Sequence, residues 1–184
     1  MRTFFALEPD AEKKLQIANW RDKSLPGLDK AVPSPNFHVT LAFLGEIDAG
    51  ALDRLCLQVD NWMSTHPVAP GHFSLEQMGY WPHAQIAWLG PAQWPSDLDK
   101  LTTKLRHIGH GVGAKSDKKR FQPHITLARH CTTPPPAALL PPSIDLDYRH
   151  FALFESVRGR QGVHYQVLAK WDMELPLQRP RRKR

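Results

Sequence analysis

The 184-residue chain is poor in cysteine, with only two, and it has no long apolar run. Two cysteines cannot build a disulfide framework, so a small secreted scaffold is excluded and a reducing cytosol fits. No stretch approaches the roughly 18 apolar residues of a membrane helix. The opening segment, Met1 to Glu8, carries an apolar patch too short for an export signal and turns acidic at once, which disfavours export. No glycine fingerprint follows a strand, so a dinucleotide-binding fold has no support. No serine or cysteine sits in a nucleophile-elbow context. Metal-ligand spacing is missing too. His107 and His110 lie three apart with no Cys or carboxylate partner at motif distance, and Cys131 beside His130 stands alone. The expectation is a protein that works without metal or cofactor.

Charge of one sign is scarcer than the total suggests. The net charge is +6, and the last six residues, Arg179-Pro180-Arg181-Arg182-Lys183-Arg184, carry +5 of it, leaving +1 for residues 1–178. The body is not expected to be a basic nucleic-acid platform, and the tail reads as a solvated, disordered segment. Apolar residues make up 41% of the chain, ordinary for a folded domain. The length predicts one domain or two tightly joined lobes, large enough to bury a core without staples.

Periodicity then orders the chain. Residues 2–8 read as a strand that breaks at Pro9-Asp10. Ala11 to about Lys23 reads as a helix with Leu15, Ile17 and Ala18 on its stripe. Leu25 to Pro35 is a proline-rich loop. Residues 36–44 alternate, with Phe37, Val39, Leu41 and Phe43 on one face and His38, Thr40 and Ala42 on the other. Asp48 to about Met63 is the clearest helix, capped by Asp48 and striped by Leu52, Leu55, Cys56, Val59 and Met63. Cys56 on that stripe reads as packing. Residues 72–80 and 84–89 form a strand pair. Ser96 is the expected N-cap of a helix carrying Leu98, Leu101, Leu105 and Ile108. A glycine- and lysine-rich loop spans 109–120, a short strand spans 123–129, and the prolines of 134–142 make an irregular connection. Strands 146–157 and 163–173 close the chain as a hairpin around Arg158–Gly162.

One pattern carries chemistry. His38-Val39-Thr40-Leu41-Ala42 recurs as His124-Ile125-Thr126-Leu127-Ala128, 86 residues later. In a strand, residues i and i+2 share a face, so each motif sets an imidazole beside a hydroxyl. Two such strands in similar lobes aim two His-Thr pairs into one cleft. That set suits a phosphodiester: a neutral His takes a proton from the nucleophile, a protonated His gives one to the leaving oxygen, and hydroxyls donate to the phosphoryl oxygens. Histidine fits because both of its protonation states exist near neutral pH.

The paired motifs resemble those of the two-histidine (2H) phosphoesterase superfamily. The resemblance extends to the opening Arg2–Leu7, to Asn36–Gly45, to Phe121–Arg129, and to the closing Phe154-Glu155-Ser156, Gly162–Tyr165 and Trp171. Those stretches look like the bacterial RNA 2′,3′-cyclic phosphodiesterase branch, historically called 2′-5′ RNA ligase. The resemblance implies an α+β fold of two pseudo-symmetric lobes, each an antiparallel sheet backed by helices, around a central cleft. Residues 1–178 would be that single bilobal domain. The implied reaction is metal-free hydrolysis of RNA 2′,3′-cyclic phosphate ends to 2′-phosphates, with 2′-5′ ligation as its reverse. By position in the family, His38 is the proton donor, His124 the proton acceptor, and Thr40 and Thr126 hold the phosphate. Arg129 and Pro123 have no counterparts around the first motif, so donor and acceptor are assigned by the resemblance alone.

Around that core stand secondary candidates for substrate contact. Arg129 ends the second motif strand and shares parity with neither His124 nor Thr126, yet it can reach phosphate from the strand end. Tyr165, beside His164, can stack on a base. Phe43 and Phe121 flank the motifs; core packing is the commoner meaning, and Phe43 is retained as a contact. Arg120, with Lys115, Lys118 and Lys119, forms a basic loop entering the second motif. The expected partners are RNA ends or cyclic nucleotides as substrate, with no membrane and no obligate protein partner, and a monomer in the cytoplasm. The rival readings are a related enzyme for another cyclic or 2′-5′-linked nucleotide, and a nucleotide- or RNA-binding module with little turnover.

Overall fold

The computed structural model describes residues 1–115, 119–160 and 162–175. The basic tail, and Lys118 of the basic loop, lie outside the described residues. The elements run β1 (Arg2–Leu7), α1 (Ala11–Ser24), a 3-10 turn at Ser34–Asn36, β2 (Val39–Glu46), α2 (Ala49–Thr65), β3 (Gly71–Leu75), β4 (Gln77–Trp81), β5 (Ile86–Gly90), α3 (Ser96–Gly111), β6 (Ile125–Ala128), β7 (Ile144–Tyr148), β8 (His150–Gly159) and β9 (Gly162–Asp172). Seven strands form one antiparallel sheet in the order β4-β5-β6-β2-β1-β8-β9. Its two halves meet at β2 and β6 through a single residue pair, Val39 with Ile125. These are equivalent positions of the two motifs, so the joint lies on the approximate twofold relating β1-α1-β2 to β5-α3-β6.

Helix starts follow local chemistry. Asp10 and Asp48 cap α1 and α2, accepting from Lys13 N at 2.8 Å and Ala51 N at 2.7 Å. Ser96 does not cap α3. Pro95 holds the cap position and Ser96 is the first helical residue, because proline's fixed φ already sets the entry. Helix α1 corrects a second expectation: Leu15 is 59% exposed, whereas Ile17, Ala18, Arg21 and Ser24 face inward. Two of those four are polar, so the apolar stripe was hidden. Arg21 lies over the Phe37 ring at 5.4 Å and donates from Nη1 to Val32 O at 2.6 Å, fastening the loop ahead of β2.

Two expected long strands are each broken. The 72–80 stretch splits at Glu76 into β3 and β4, and the 146–157 stretch splits at Arg149 into β7 and β8. The detached halves pair with each other, β3 with β7, as a separate two-stranded sheet. Their inward residues, Phe73, Leu75, Ile144, Leu146 and Tyr148, join the main core. Alternation is the same on either side of such a break, so periodicity alone does not reveal it.

The two faces of the large sheet differ. Phe5 and Leu7 of β1 pack into the main core with the helices, whereas Phe4 and Ala6 point the other way with Ala152, Phe154, Phe43 and Tyr165. That second face is the floor of the cleft.

Candidate active site

Strict alternation would leave Phe43 and Arg129 on the core side of their strands. The register shows why neither is there. Along β2, Ala6 pairs with Thr40 and Phe5 with Ala42, so Leu41 is an extra residue. Along β6, Trp88 pairs with Thr126 and Ala87 with Ala128, so Leu127 is extra. Both motifs thus bulge at the leucine after the threonine, and the bulge inverts the side chains that follow it, in β2 as far as a second register shift at Leu44. Phe43 and Arg129 return to the cleft, where both line its wall beside His38 and Thr40. The expected parity of 36–44 is corrected at Phe43, and that of Arg129 at the strand end.

Each histidine sits just before its strand and is held the same way. The Nδ1 of His38 lies 2.7 Å from Asn36 O, and that of His124 lies 2.8 Å from Gln122 O. A carbonyl only accepts, so both Nδ1 atoms carry the hydrogen and both Nε2 atoms are left to exchange a proton. Each ring also rests among two aromatic rings. Phe4 and Tyr165 lie 4.9 and 4.8 Å from His38, and Trp81 and Trp88 lie 4.5 and 6.5 Å from His124. Tyr165 is therefore a wall of the histidine as well as of the cleft. Gly79 opposite Trp88 makes room for this, since a Cβ there would run into the Trp88 ring.

The loops that present the carbonyls are fastened alike. Arg21 of α1 grips Val32 O, and Arg106 of α3 donates from Nη1 to Lys119 O at 2.7 Å. Asn36 donates through Nδ2 to Val163 O at 2.8 Å, tying the first loop to the strand that carries Tyr165. Trp81, Trp88, Phe4, Arg21 and Arg106 were missed from the sequence. A comparison of the two halves beyond the five motif positions pairs Phe4 with Trp88 and Arg21 with Arg106, at offsets close to the motif spacing.

Two chambers of about 610 and 600 Å³ share Thr40 and Phe43 as lining. Arg106, Lys119 and Arg120 line the one containing His124, and Arg2, Lys30, Arg129 and Arg158 line the one containing His38. No carboxylate lines either chamber among the described residues. The near-neutral body therefore carries a strongly cationic cleft, which sequence totals concealed. Thr40 lines both chambers, whereas Thr126 is only 8% exposed and lines neither. Phe121 is buried in the core and presents one side to the His124 chamber.

The electrostatics favour neutral imidazoles. Burial pushes His38 down to about 4 against the hydrogen bond to Asn36, and Arg129, His124 and Lys14 add to the fall. Burial also lowers His124, opposed by the Gln122 carbonyl and assisted by Arg129. Such a site holds two proton carriers with a preference for an anion that would raise both.

Comparison with known proteins agrees with this geometry. Residues 8–159 match the model of the 2′-5′ RNA ligase superfamily. The chain is 32% identical to an RNA 2′,3′-cyclic phosphodiesterase of Escherichia coli, over 92% of this chain and 95% of that one. It is 29% identical to an RNA 2′,3′-cyclic phosphodiesterase of Thermotoga maritima, over 95% and 96%. The crystal structure of Escherichia coli LigT complexed with 3′-AMP superposes with a TM-score of 0.84 at 30% identity, covering 95% of this chain and 98% of that one. With an α+β fold, two equivalent half-sites and a match across most of its length, this chain belongs to the 2′-5′ RNA ligase superfamily.

Proposed function

We propose that this protein hydrolyses RNA ends bearing a 2′,3′-cyclic phosphate to 2′-phosphates. The observation that carries the reading is the pair of imidazoles, each donating Nδ1–H to a backbone carbonyl and each leaving Nε2 for proton exchange in one cation-lined cleft.

The steps follow from that arrangement. The ester's negative charge is drawn by Arg129 and its neighbours, and its arrival raises the proton affinity of both histidines. His124 Nε2 takes a proton from water as the water oxygen attacks phosphorus. The bond from phosphorus to the 3′-oxygen breaks, and His38 Nε2 delivers a proton to that oxygen. The hydroxyl of Thr40 and the guanidinium of Arg129 hold the non-bridging oxygens as charge builds on them, and Thr126, more deeply set, meets the phosphate only once the ester has settled past the chamber walls. Tyr165 and Phe43 offer ring surface to the nucleoside, and Arg120 draws the RNA backbone. Both proton carriers are side chains of this chain, so the proposed reaction is independent of metal. On this reading the enzyme acts as one bilobal domain, a monomer working on RNA ends in the cytoplasm.

The test is to incubate the protein, with EDTA present, with a short RNA ending in a 2′,3′-cyclic phosphate and to identify the product end. A 2′-phosphate is expected, and it should vanish in the His38→Ala, His124→Ala double variant. A 3′-phosphate product, or turnover that stops with chelator, would overturn the mechanism.

A further inference from the structure

The two helices that grip the histidine loops differ two turns ahead of their arginines. On α1 that place is Lys14, whose Nζ donates to Pro35 O at 2.9 Å and to Glu8 Oε1 at 2.6 Å. The Lys14 side chain is only 14% exposed there. A lone surface ion pair stabilises a fold very little. The contact to the histidine's own loop gives this pair a consequence for the site. Pro35 adjoins Asn36, whose carbonyl holds His38 Nδ1, so Lys14 sits one peptide from the bond that sets the tautomer. On α3 the equivalent place is Asp99, which accepts from Trp94 Nε1 at 3.1 Å. It carries the opposite charge, and a carboxylate cannot hold a carbonyl for His124.

Glu8 and Pro35 also wall a gap of about 20 Å³ beside the His38 ring, closed by Phe4, Phe154 and Tyr165. That is room for about one water, so a charge at the clamp is weakly screened from the ring. We propose that Lys14, clamped between Glu8 and the Pro35 carbonyl, is a positioning residue for His38 that has no equivalent on α3. It anchors the peptide that presents the Asn36 carbonyl, which keeps Nδ1–H in place and Nε2 turned to the cleft. Its fixed positive charge also makes the protonated ring release its proton more readily. The other titratable and charged groups facing His38 are Glu8 and Tyr165 at the gap, and Arg129 and His124 on the cleft side. Arg2, Lys30, His130 and Arg158 line the same chamber. Substitution of Lys14 leaves all of these in the chain. The consequence for turnover rests on the hydrolytic reading; the clamp itself does not.

The test follows the histidine rings of the full-length protein by NMR. In Lys14→Met, His38 should titrate at higher pH while His124 stays where it is. The His38 Nδ1–H should exchange with solvent at least tenfold faster. Formation of 2′-phosphate from an RNA 2′,3′-cyclic phosphate should slow about tenfold in kcat, within the 10²-fold that a misplacement of about 1 Å can cost. Lys14→Arg keeps both the charge and a donor and should restore all three. An unchanged His38 titration and Nδ1–H exchange in Lys14→Met would overturn the proposal. Equal movement of His38 and His124 would overturn it too, because the effect would then be a general loosening. If Lys14→Met does not fold, Glu8→Gln, which weakens the clamp from its other end, should speed the Nδ1–H exchange of His38 and leave that of His124 alone; no change there overturns the proposal. If the NMR results come out as expected and the unmodified protein makes no 2′-phosphate, the clamp on His38 stands and the hydrolytic reading alone fails.

Discussion

The half-site around His38 and the half-site around His124 use one backbone plan with different fillings. In both, a helix arginine grips the loop, a carbonyl two residues back holds Nδ1, and a bulged leucine turns the next outward residue into the cleft. The fillings then diverge. The residue returned by the bulge is Phe43 in one half and Arg129 in the other. The aromatic walls are Phe4 and Tyr165 on one side, Trp88 and Trp81 on the other. Burial moves His38 down to about 4, with Arg129, His124 and Lys14 adding to the fall, whereas on His124 Arg129 is, among the described residues, the charge that adds to burial. A repeated fold supplies placement, and the side chains that break the repeat supply the asymmetry that an acid and a base need.

The largest break in that comparison is to remove either imidazole. His38→Ala and His124→Ala should each lower kcat by about 10²–10⁴-fold, the usual worth of a general acid or base, and single-turnover product analysis measures it. If the two half-sites were interchangeable in role, the losses and the surviving pH limbs would be identical. Distinct limbs are expected, the alkaline one disappearing with His38 and the acidic one with His124.

Arg129 sharpens the asymmetry. Arg129→Met should cost about 10²-fold in kcat/KM if its guanidinium meets the developing charge. It should also move the alkaline limb of kcat/KM upward, because Arg129 lowers both histidines. A lost contact alone would leave that limb in place, so the pH profile separates the two effects. In the unmodified protein the alkaline limb of kcat/KM should lie under about pH 6.5, and that of kcat should lie higher, once the bound anion has raised both groups.

Gly79 tests the wall that belongs to one half alone. Gly79→Ala puts a methyl into the Trp88 ring. The expected result is a loss of about 1–3 kcal/mol in stability, read by denaturant unfolding, with kcat reduced several-fold through His124. A further effect is on acid stability. His38 binds its proton less readily when folded than when unfolded, so the unfolded state gains protons first as pH falls. The stability this group contributes is complete above about pH 6.5 and is lost toward pH 4. Thermal unfolding of His38→Asn should therefore depend less steeply on pH across that window.

Much of this was legible in the chain itself. The two His-x-Thr-Leu-Ala motifs, the helix capped by Asp48, and the closing hairpin all rest on contacts within a few residues, where i+2 and i+4 geometry dictates the outcome. The sequence by itself thereby determined a mixed order of strands and helices and the pairs of groups to be brought together, and the resemblance that those motifs carry implied the α+β class. It did not determine their surroundings. The splits at Glu76 and Arg149 depend on β3 and β7 finding each other across the chain, the bulges at Leu41 and Leu127 depend on the partner strands, and the inward turn of Arg21 depends on a distant carbonyl. The gathering of seven cations around the cleft of a near-neutral body was likewise decided only in three dimensions. Burial and charge are sums over neighbours that the linear order does not name, and those sums set the proton affinities on which the chemistry turns.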